Sequence, residues 1–499
     1  MSNLQDLSAR RANLTQEQRA ALKARLRGAP ATRQAPAQGA MAPRPASDRA
    51  PLSSAQQRQW FLWKLDPSRT AYHLSGGLTL TGQLDTKALR AGVQALVERH
   101  EALRTVFREE GDGEVQQLVM AAGEFALPVV DLGRLDQAAR DEAVRAQVLK
   151  LRTEPFDLLR GPLMRMVLLR TGEQQHLLLV VMHHIVSDGW SVQLILDELA
   201  LQYAARVRGL LPAHPELPVQ YADYALWQNR WLDEDGEGRR QLEWWCAQLG
   251  TEHPVVALQT DHPRSASGRY RAGHHAFMLP GDVVRRLRQQ AQAGGATLFM
   301  ALLAAFNALL FRHSAQTDLR VGVPIANRHR AETVGIVGFF VNTQVLRTRI
   351  DARMTLGELL ERTRDTAIDA QTHQDLPFER LVSALRPERS LSATPLFQVM
   401  FNHVRRDHRS LAQWPGVAVE RLDFQEDDAQ FEMTLQTLEM EDGSVQATLL
   451  HAVELFDAQA IERMAGHYVA VLRALADQPG QAVGDIELIG ADERARLAA

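Results

Sequence analysis

The sequence predicts an α/β protein of more than one lobe, and three observations carry that reading. The chain is 499 residues long, whereas domains commonly run to about 100–200 residues. Apolar strand-like runs alternate with amphipathic helical patterns along its body. A Trp-rich stretch, 227–245, precedes what reads as a second lobe.

In order along the chain, LTQEQRAALKARLRG reads as a helix. Thr15 can cap it, Gln18 sits three residues on as in a capping box, and Gly28 can end it. Leu22 and Leu26 share one face. Residues 29–50 are Ala/Pro-rich without apolar period and read as a linker. The body begins near Leu52. GGLTLTG (76–82) alternates like a strand, and 87–107 opens as an amphipathic helix. HLLLVVM (176–182) is continuously apolar, as a strand buried on both faces would be. From Ser191, the residues Val192, Ile195, Leu196, Leu199 and Tyr203 form one helical face. ALVERHEALRT and ALLFRHSAQTDLRV each pair an Arg-His helix end with a strand-like run. Either a distant duplication or the common preference for bases at helix ends explains that echo.

Composition narrows the function. Hydrophobic residues are 45% and charged residues 23%, as in a soluble globular chain. Net charge is −4 without a long basic block, which disfavours nucleic acid as a partner. The single cysteine, Cys246, excludes an internal disulfide framework and fits a reducing compartment. The first residues lack a signal-peptide core, and no apolar run is long enough for a membrane span. The expectation is a cytoplasmic protein.

Chemistry concentrates in VVMHHIVSDGW (180–190). Neighbouring side chains on a strand point to opposite faces, so His183 and His184 have different surroundings. Asp188 and Gly189 form a turn signal, and Asp188 or Ser187 can cap the next helix. In isolation the pattern also fits a core histidine beside a capping aspartate. A metal site is disfavoured, because adjacent strand histidines diverge, cysteine ligands are absent and no HExxH spacing occurs. A Ser-His-Asp hydrolase would need a G-x-S-x-G elbow, and there is none. A neutral histidine at a strand end can serve as a general base near pH 7. No covalent nucleophile stands nearby, which points to direct transfer of an activated acyl group.

Seven ordered motifs extend this reading: LSSAQQRQWFLWKLDP (52–67), RHEALRTVF (99–107), MHHIVSDGWS (182–191), YADYALW (221–227), VGFFVNTQVLR (337–347), HQDLPFERLV (373–382) and RPERSLSATPLFQVMFN (386–402). Together they make the chain resemble the condensation domains of nonribosomal peptide synthetases, within the chloramphenicol-acetyltransferase-like superfamily. The resemblance implies two acetyltransferase-like α/β lobes in a V-shaped pseudodimer with a central tunnel. It places the N-terminal helix and linker at 1–50, the lobes at 51–230 and 231–485, and a linker toward an adenylation domain at 486–499. It implies substrates carried as thioesters on 4′-phosphopantetheine arms or coenzyme A, with no bound metal or redox cofactor. The acceptor partner is a downstream peptidyl carrier domain. The donor is acyl-coenzyme A, an acyl carrier or an upstream carrier domain. By the same resemblance His184 is catalytic and His183 its core-facing neighbour. Asp188 is structural and pairs with Arg328 in VGVPIANRHR, while Gly189 leaves room for the pantetheine arm. Trp190, Ser191 and Asn342 are tunnel candidates, with packing or a buried amide as the competing readings for Trp190 and Asn342.

An epimerisation domain, a noncatalytic recruitment module and a free-standing acetyltransferase are the competing functions. DGWS with RHEALRTVF speaks against the first, and intact His184, Asp188 and Gly189 against the second. Within condensation, the start at Met1 favours a starter domain that N-acylates the first amino acid. The alternative is a peptidyl donor from a preceding synthetase protein.

Overall fold

The computed structural model describes residues 41–495, apart from 46–48, 112, 213, 235, 265–269, 387–394, 408, 426 and 491–492. The helix expected over 15–28, and the linker as far as residue 40, lie outside the described residues. The chain divides into two compact units, Met1–Met41 and Ala42–Ala499, and the fold below is that of the second.

The first half contributes strands β1 (Arg49–Pro51), β2 (His73–Gly82), β3 (Thr105–Glu109), β4 (Val115–Val119), β5 (Val129–Asp131), β6 (Met164–Arg170) and β7 (Gln175–His183). The second contributes β8 (Tyr270–Met278), β9 (Asp318–Ile325), β10 (Asn342–Arg349), β11 (Val399–Arg405), β12 (Val417–Asp423), β13 (Asp428–Ala429), β14 (Met433–Glu439) and β15 (Val445–Ala452). Among the described residues they form a five-stranded sheet ordered β12-β2-β7-β6-β5, a seven-stranded sheet ordered β10-β9-β11-β14-β15-β8-β13, and a small sheet ordered β1-β4-β3. Two mixed α/β lobes of the chloramphenicol-acetyltransferase kind result.

The run 176–182 is the middle of β7, which sits at the centre of its sheet between β2 and β6, both antiparallel to it. The helix Gln137–Thr153 covers one face, laying Ala143, Val144, Val148 and Leu151 on Leu177, Leu179, Val167 and Leu169. The helix predicted from Ser191 spans Gly189–Val207. It packs on the helix Thr86–Arg99 at Gly92, whose missing side chain admits Leu199 and Gln202. In the second lobe the helix Leu298–Ser314 is apolar all round and buried from Met300 through Phe311, as such a pattern requires. No single described helix is long and apolar enough to cross a membrane.

Two features depart from the linear reading. The end of the stretch read as linker is fixed: Arg44 donates to Asp223 (2.9 Å) and Glu101 (2.8 Å), and β1 pairs with β4. Further, β12 comes from the second half yet joins the first sheet, pairing with β2 from Val417 opposite Gly82 to Asp423 opposite Gly76. At that junction Gly82 has φ +132°, and a side-chain carbon there would lie 2.2 Å from the Gly416 carbonyl oxygen. Only glycine fits such a backbone approach. Gly82→Ala is therefore expected to lower stability by about 1–3 kcal/mol through backbone strain. Urea unfolding checks this, and a parent-like midpoint would refute the close approach.

Candidate active site

The site forms where β7 stops. His183 completes the strand, and a short 3-10 turn, His184–Val186, carries the chain away. The turn begins because His183 Nδ1 accepts the Ile185 N–H at 3.1 Å. His183 is buried beside the rings of His73 and Phe156, each 6.1 Å away. Burial, with His73 next to it, pulls its pKa down to about 3, so the ring is neutral.

His184 faces the other way and is only half-buried. Its backbone N–H donates to the Tyr72 carbonyl at 2.9 Å. Its Nδ1 lies 2.8 Å from the Ser187 carbonyl oxygen. A carbonyl can only accept, so Nδ1 carries the proton and Nε2 keeps its lone pair. No protein group among the described residues bonds Nε2. Phe339 packs against the ring at 4.8 Å. Burial lowers the His184 pKa, opposed by Asp188 and the Ser187 carbonyl.

Asp188 caps the helix Gly189–Val207 by accepting the Ser191 N–H at 2.8 Å. It is fully buried, and its other contacts come from the coil after β9. Arg328 Nη2 lies 3.1 Å from Asp188 Oδ1, and the Phe340 N–H donates to Oδ2 at 2.9 Å. Arg328 also donates to the carbonyls of Thr333 (2.7 Å) and Ile336, and rests on the Phe340 ring at 4.0 Å. A buried carboxylate and a buried guanidinium thus satisfy each other and pin 333–340 to the start of the helix. That coil carries Phe339, the residue that packs on His184.

The remaining candidates divide. A side-chain carbon at Gly189 would meet nothing within 4 Å, and its φ is not positive, so the residue leaves space that no turn demands. Trp190 is 45% exposed, and its indole N–H donates to the Val334 carbonyl at 3.0 Å. Two further candidates make their bonds to the protein itself. Ser191 is buried, its hydroxyl held between Arg328 Nη2 (2.7 Å) and the Gly338 carbonyl (2.9 Å). Asn342 donates to the Leu376 carbonyl (2.8 Å) and accepts the Phe378 N–H (3.0 Å), so its amide ties chain to chain. Among the described residues no three His, Cys, Asp or Glu side chains gather as a metal site.

Sequence reasoning gave no role to Phe339, Gln56, Arg58 or Tyr221. Gln56 donates to the Ile185 carbonyl at 3.2 Å, bracing the turn. Arg58, two residues on, faces Glu379 of the other lobe at 3.7 Å. The Tyr221 hydroxyl donates to the Phe339 carbonyl at 2.6 Å. All four lie inside motifs quoted for their pattern, and only the fold shows that these motifs converge.

A family model described as condensation domain matches residues 46–498. One of the linear gramicidin synthase proteins of Brevibacillus parabrevis is 41% identical over 459 residues, which is 91% of this chain and 6% of that protein. Phosphinothricin tripeptide synthetase PhsC of Streptomyces viridochromogenes is 38% identical over 493 residues, 98% of this chain and 45% of that protein. The chain spans less than half the length of these curated relatives. Among solved structures, the X-domain in complex with OxyB from teicoplanin biosynthesis aligns with a TM-score of 0.81 and 28% identity. The alignment covers 92% of this chain and 100% of that one.

Removing one partner of the buried pair leaves the other charge uncompensated. Asp188→Ala is expected to cost about 3–5 kcal/mol of stability. Asp188→Ala and Arg328→Ala should couple strongly in a double-mutant cycle read by chemical denaturation. Additive losses would show that the two do not act as a pair.

Proposed function

The chain belongs to the condensation-domain family of nonribosomal peptide synthetases, and from that premise we propose the reaction its site performs. Condensation domains are amide-forming acyltransferases. The acceptor is the amine of an aminoacyl thioester on a downstream carrier. It attacks the carbonyl carbon of the donor thioester, a C–N bond forms, the C–S bond breaks, and the donor carrier thiol is released.

The observation that carries this reading is the unpartnered Nε2 of His184, held in one tautomer by Ser187. With its pKa lowered by burial, the ring is neutral at pH 7. It is also too weak a base to strip an ammonium whose pKa is about 7.7–8.0. It therefore acts on the neutral amine. Nε2 accepts a hydrogen bond from the amine, takes the proton as the C–N bond forms, and returns it to the departing thiolate. The thioester is already activated, so alignment of two tethered arms supplies much of the acceleration. The open space at Gly189 suits a pantetheine arm. Asp188 and Arg328 act at a distance by fixing the coil behind the ring.

For the donor, the better-supported class is an aminoacyl or peptidyl thioester on a carrier. Both relatives named above are peptide synthetases, where chain extension uses such donors. The starter expectation drew on the position of Met1 alone.

His184→Ala is expected to lower amide formation by about 10²–10⁴-fold, the usual worth of a positioned base, while the melting temperature holds. Intact-mass assay of a loaded acceptor carrier measures it, and near-parent turnover would end the catalytic assignment. The His184 ring followed by NMR should titrate below pH 6.5, because burial favours its neutral form.

The donor class has its own test. Acyl-coenzyme A and a peptidyl carrier are offered together with one loaded acceptor carrier, and the products are weighed. Transfer from the peptidyl carrier is expected. Exclusive transfer from acyl-coenzyme A would return the starter reading.

A further inference from the structure

The peptide group joining Phe339 to Phe340 is gripped at both ends. Its N–H donates to Asp188 Oδ2 at 2.9 Å, and its C=O accepts the Tyr221 hydroxyl at 2.6 Å. A peptide group is planar, so its N–H and C=O turn together, and a bond at each end fixes its rotation. The plane in turn sets the direction of Phe339, which packs on the His184 ring at 4.8 Å. Asp188 is one jaw of this clamp, and Tyr221 is the other.

Tyr221 opens the helix Tyr221–Glu234 and is 1% exposed. Its ring lies against Gly338, where a side-chain carbon would come within 2.0 Å of it. The Phe340 ring meets it edge-on at 4.9 Å. The coil thus runs against the phenol over three consecutive residues.

Burial holds the phenol well above its ordinary pKa range, so the oxygen keeps its proton. A carbonyl can only accept, so that proton goes to Phe339. The Ser53 hydroxyl, 2.8 Å away, then donates to the Tyr221 oxygen. Ser53 caps the helix Ser54–Leu65, and Gln56 in its first turn donates to the Ile185 carbonyl. One oxygen therefore joins the segment that braces the His184 turn to the segment that covers the His184 ring.

We propose that Tyr221 is a positioning residue of the amide-forming reaction: its hydroxyl, with Asp188, locks the Phe339–Phe340 peptide group and so holds Phe339 against His184. The inference rests on the reaction proposed above. Without the hydroxyl the Phe339 carbonyl is buried and unpartnered, and the plane turns to find a donor. Phe339 then leaves the ring, which gains water and freedom to move. A reacting group misplaced by about 1 Å can cost about 10²-fold in rate.

The test uses the whole chain. Tyr221→Phe keeps the ring against Gly338 and removes only the oxygen. In the intact-mass assay with loaded donor and acceptor carriers it should lower kcat about 10–100-fold and leave KM for the carriers unchanged. The His184 ring, assigned in NMR by its absence from His184→Ala, should titrate closer to 6.5 than in the parent, because burial is what lowers it. Phe339→Ala should show both changes, and adding Tyr221→Phe to it should change little further, because the hydroxyl acts through Phe339. Gly338→Ala forces the coil off the phenol without removing a polar side chain. It should give the same two changes, and it serves if Tyr221→Phe does not fold. Gly82→Ala, destabilised far from the site, should give neither. Parent-like kcat in Tyr221→Phe, an unmoved His184 titration, additive losses in the double variant, or an equal loss of kcat in Gly82→Ala would each overturn the positioning role. The two readings fail apart. Undiminished turnover of His184→Ala ends the proposed reaction, whereas an unmoved ring in Tyr221→Phe ends this inference while that reaction stands.

Discussion

A carboxylate sealed from water must have its lone pairs met by donors, and the junction of the two lobes is organised by that condition at Asp188. The Ser191 N–H comes from the helix that Asp188 caps, the Phe340 N–H and the Arg328 guanidinium from the other lobe. Removing any one would leave a buried charge short of a partner, a cost large on the scale of folding stability. Two of the donors are remote from the helix in sequence, yet all three lie within hydrogen-bonding distance of one side chain. The same coil that answers Asp188 sets Phe339 against His184, so charge burial and placement of the His184 ring are one arrangement.

The two histidines show how a strand end can separate tasks. His183 is held neutral in the core and starts the turn that rotates its neighbour outward. His184 then uses one nitrogen to fix itself on Ser187 and keeps the other open. Adjacent identical residues thereby acquire opposite roles without any difference in their chemistry. The difference lies in which side of β7 each one meets.

Much of this was legible in the residues. The continuous apolar run 176–182 gave the central strand, strand alternation separated His183 from His184, and the face Ile195–Leu199–Tyr203 gave the helix behind them. The pairing of Asp188 with Arg328 was reachable only through resemblance, because no local pattern links positions so far apart. The bonds made by Ser191 and Asn342 were illegible for the same reason. Their partners, at Gly338 and Leu376, are supplied by other segments, and a polar side chain near a motif reads alike whether it lines a tunnel or ties two chains together. The crossing of β12 into the first sheet was hidden too, since VAVERLD (417–423) alternates like any strand and names no neighbour.

That crossing bears on how the chain comes to be folded. β2 is finished at Gly82, but the strand that closes its outer edge begins only at Val417. At about 5–20 residues per second of synthesis, the edge stays open for roughly 15–70 s after β2 has emerged. Throughout that interval the first sheet offers an unpaired flank, which in other proteins recruits foreign strands. The lobes are thus unequal in time as well as in sequence. The second can complete its own sheet from its own residues, whereas the first is finished only when its partner is nearly made.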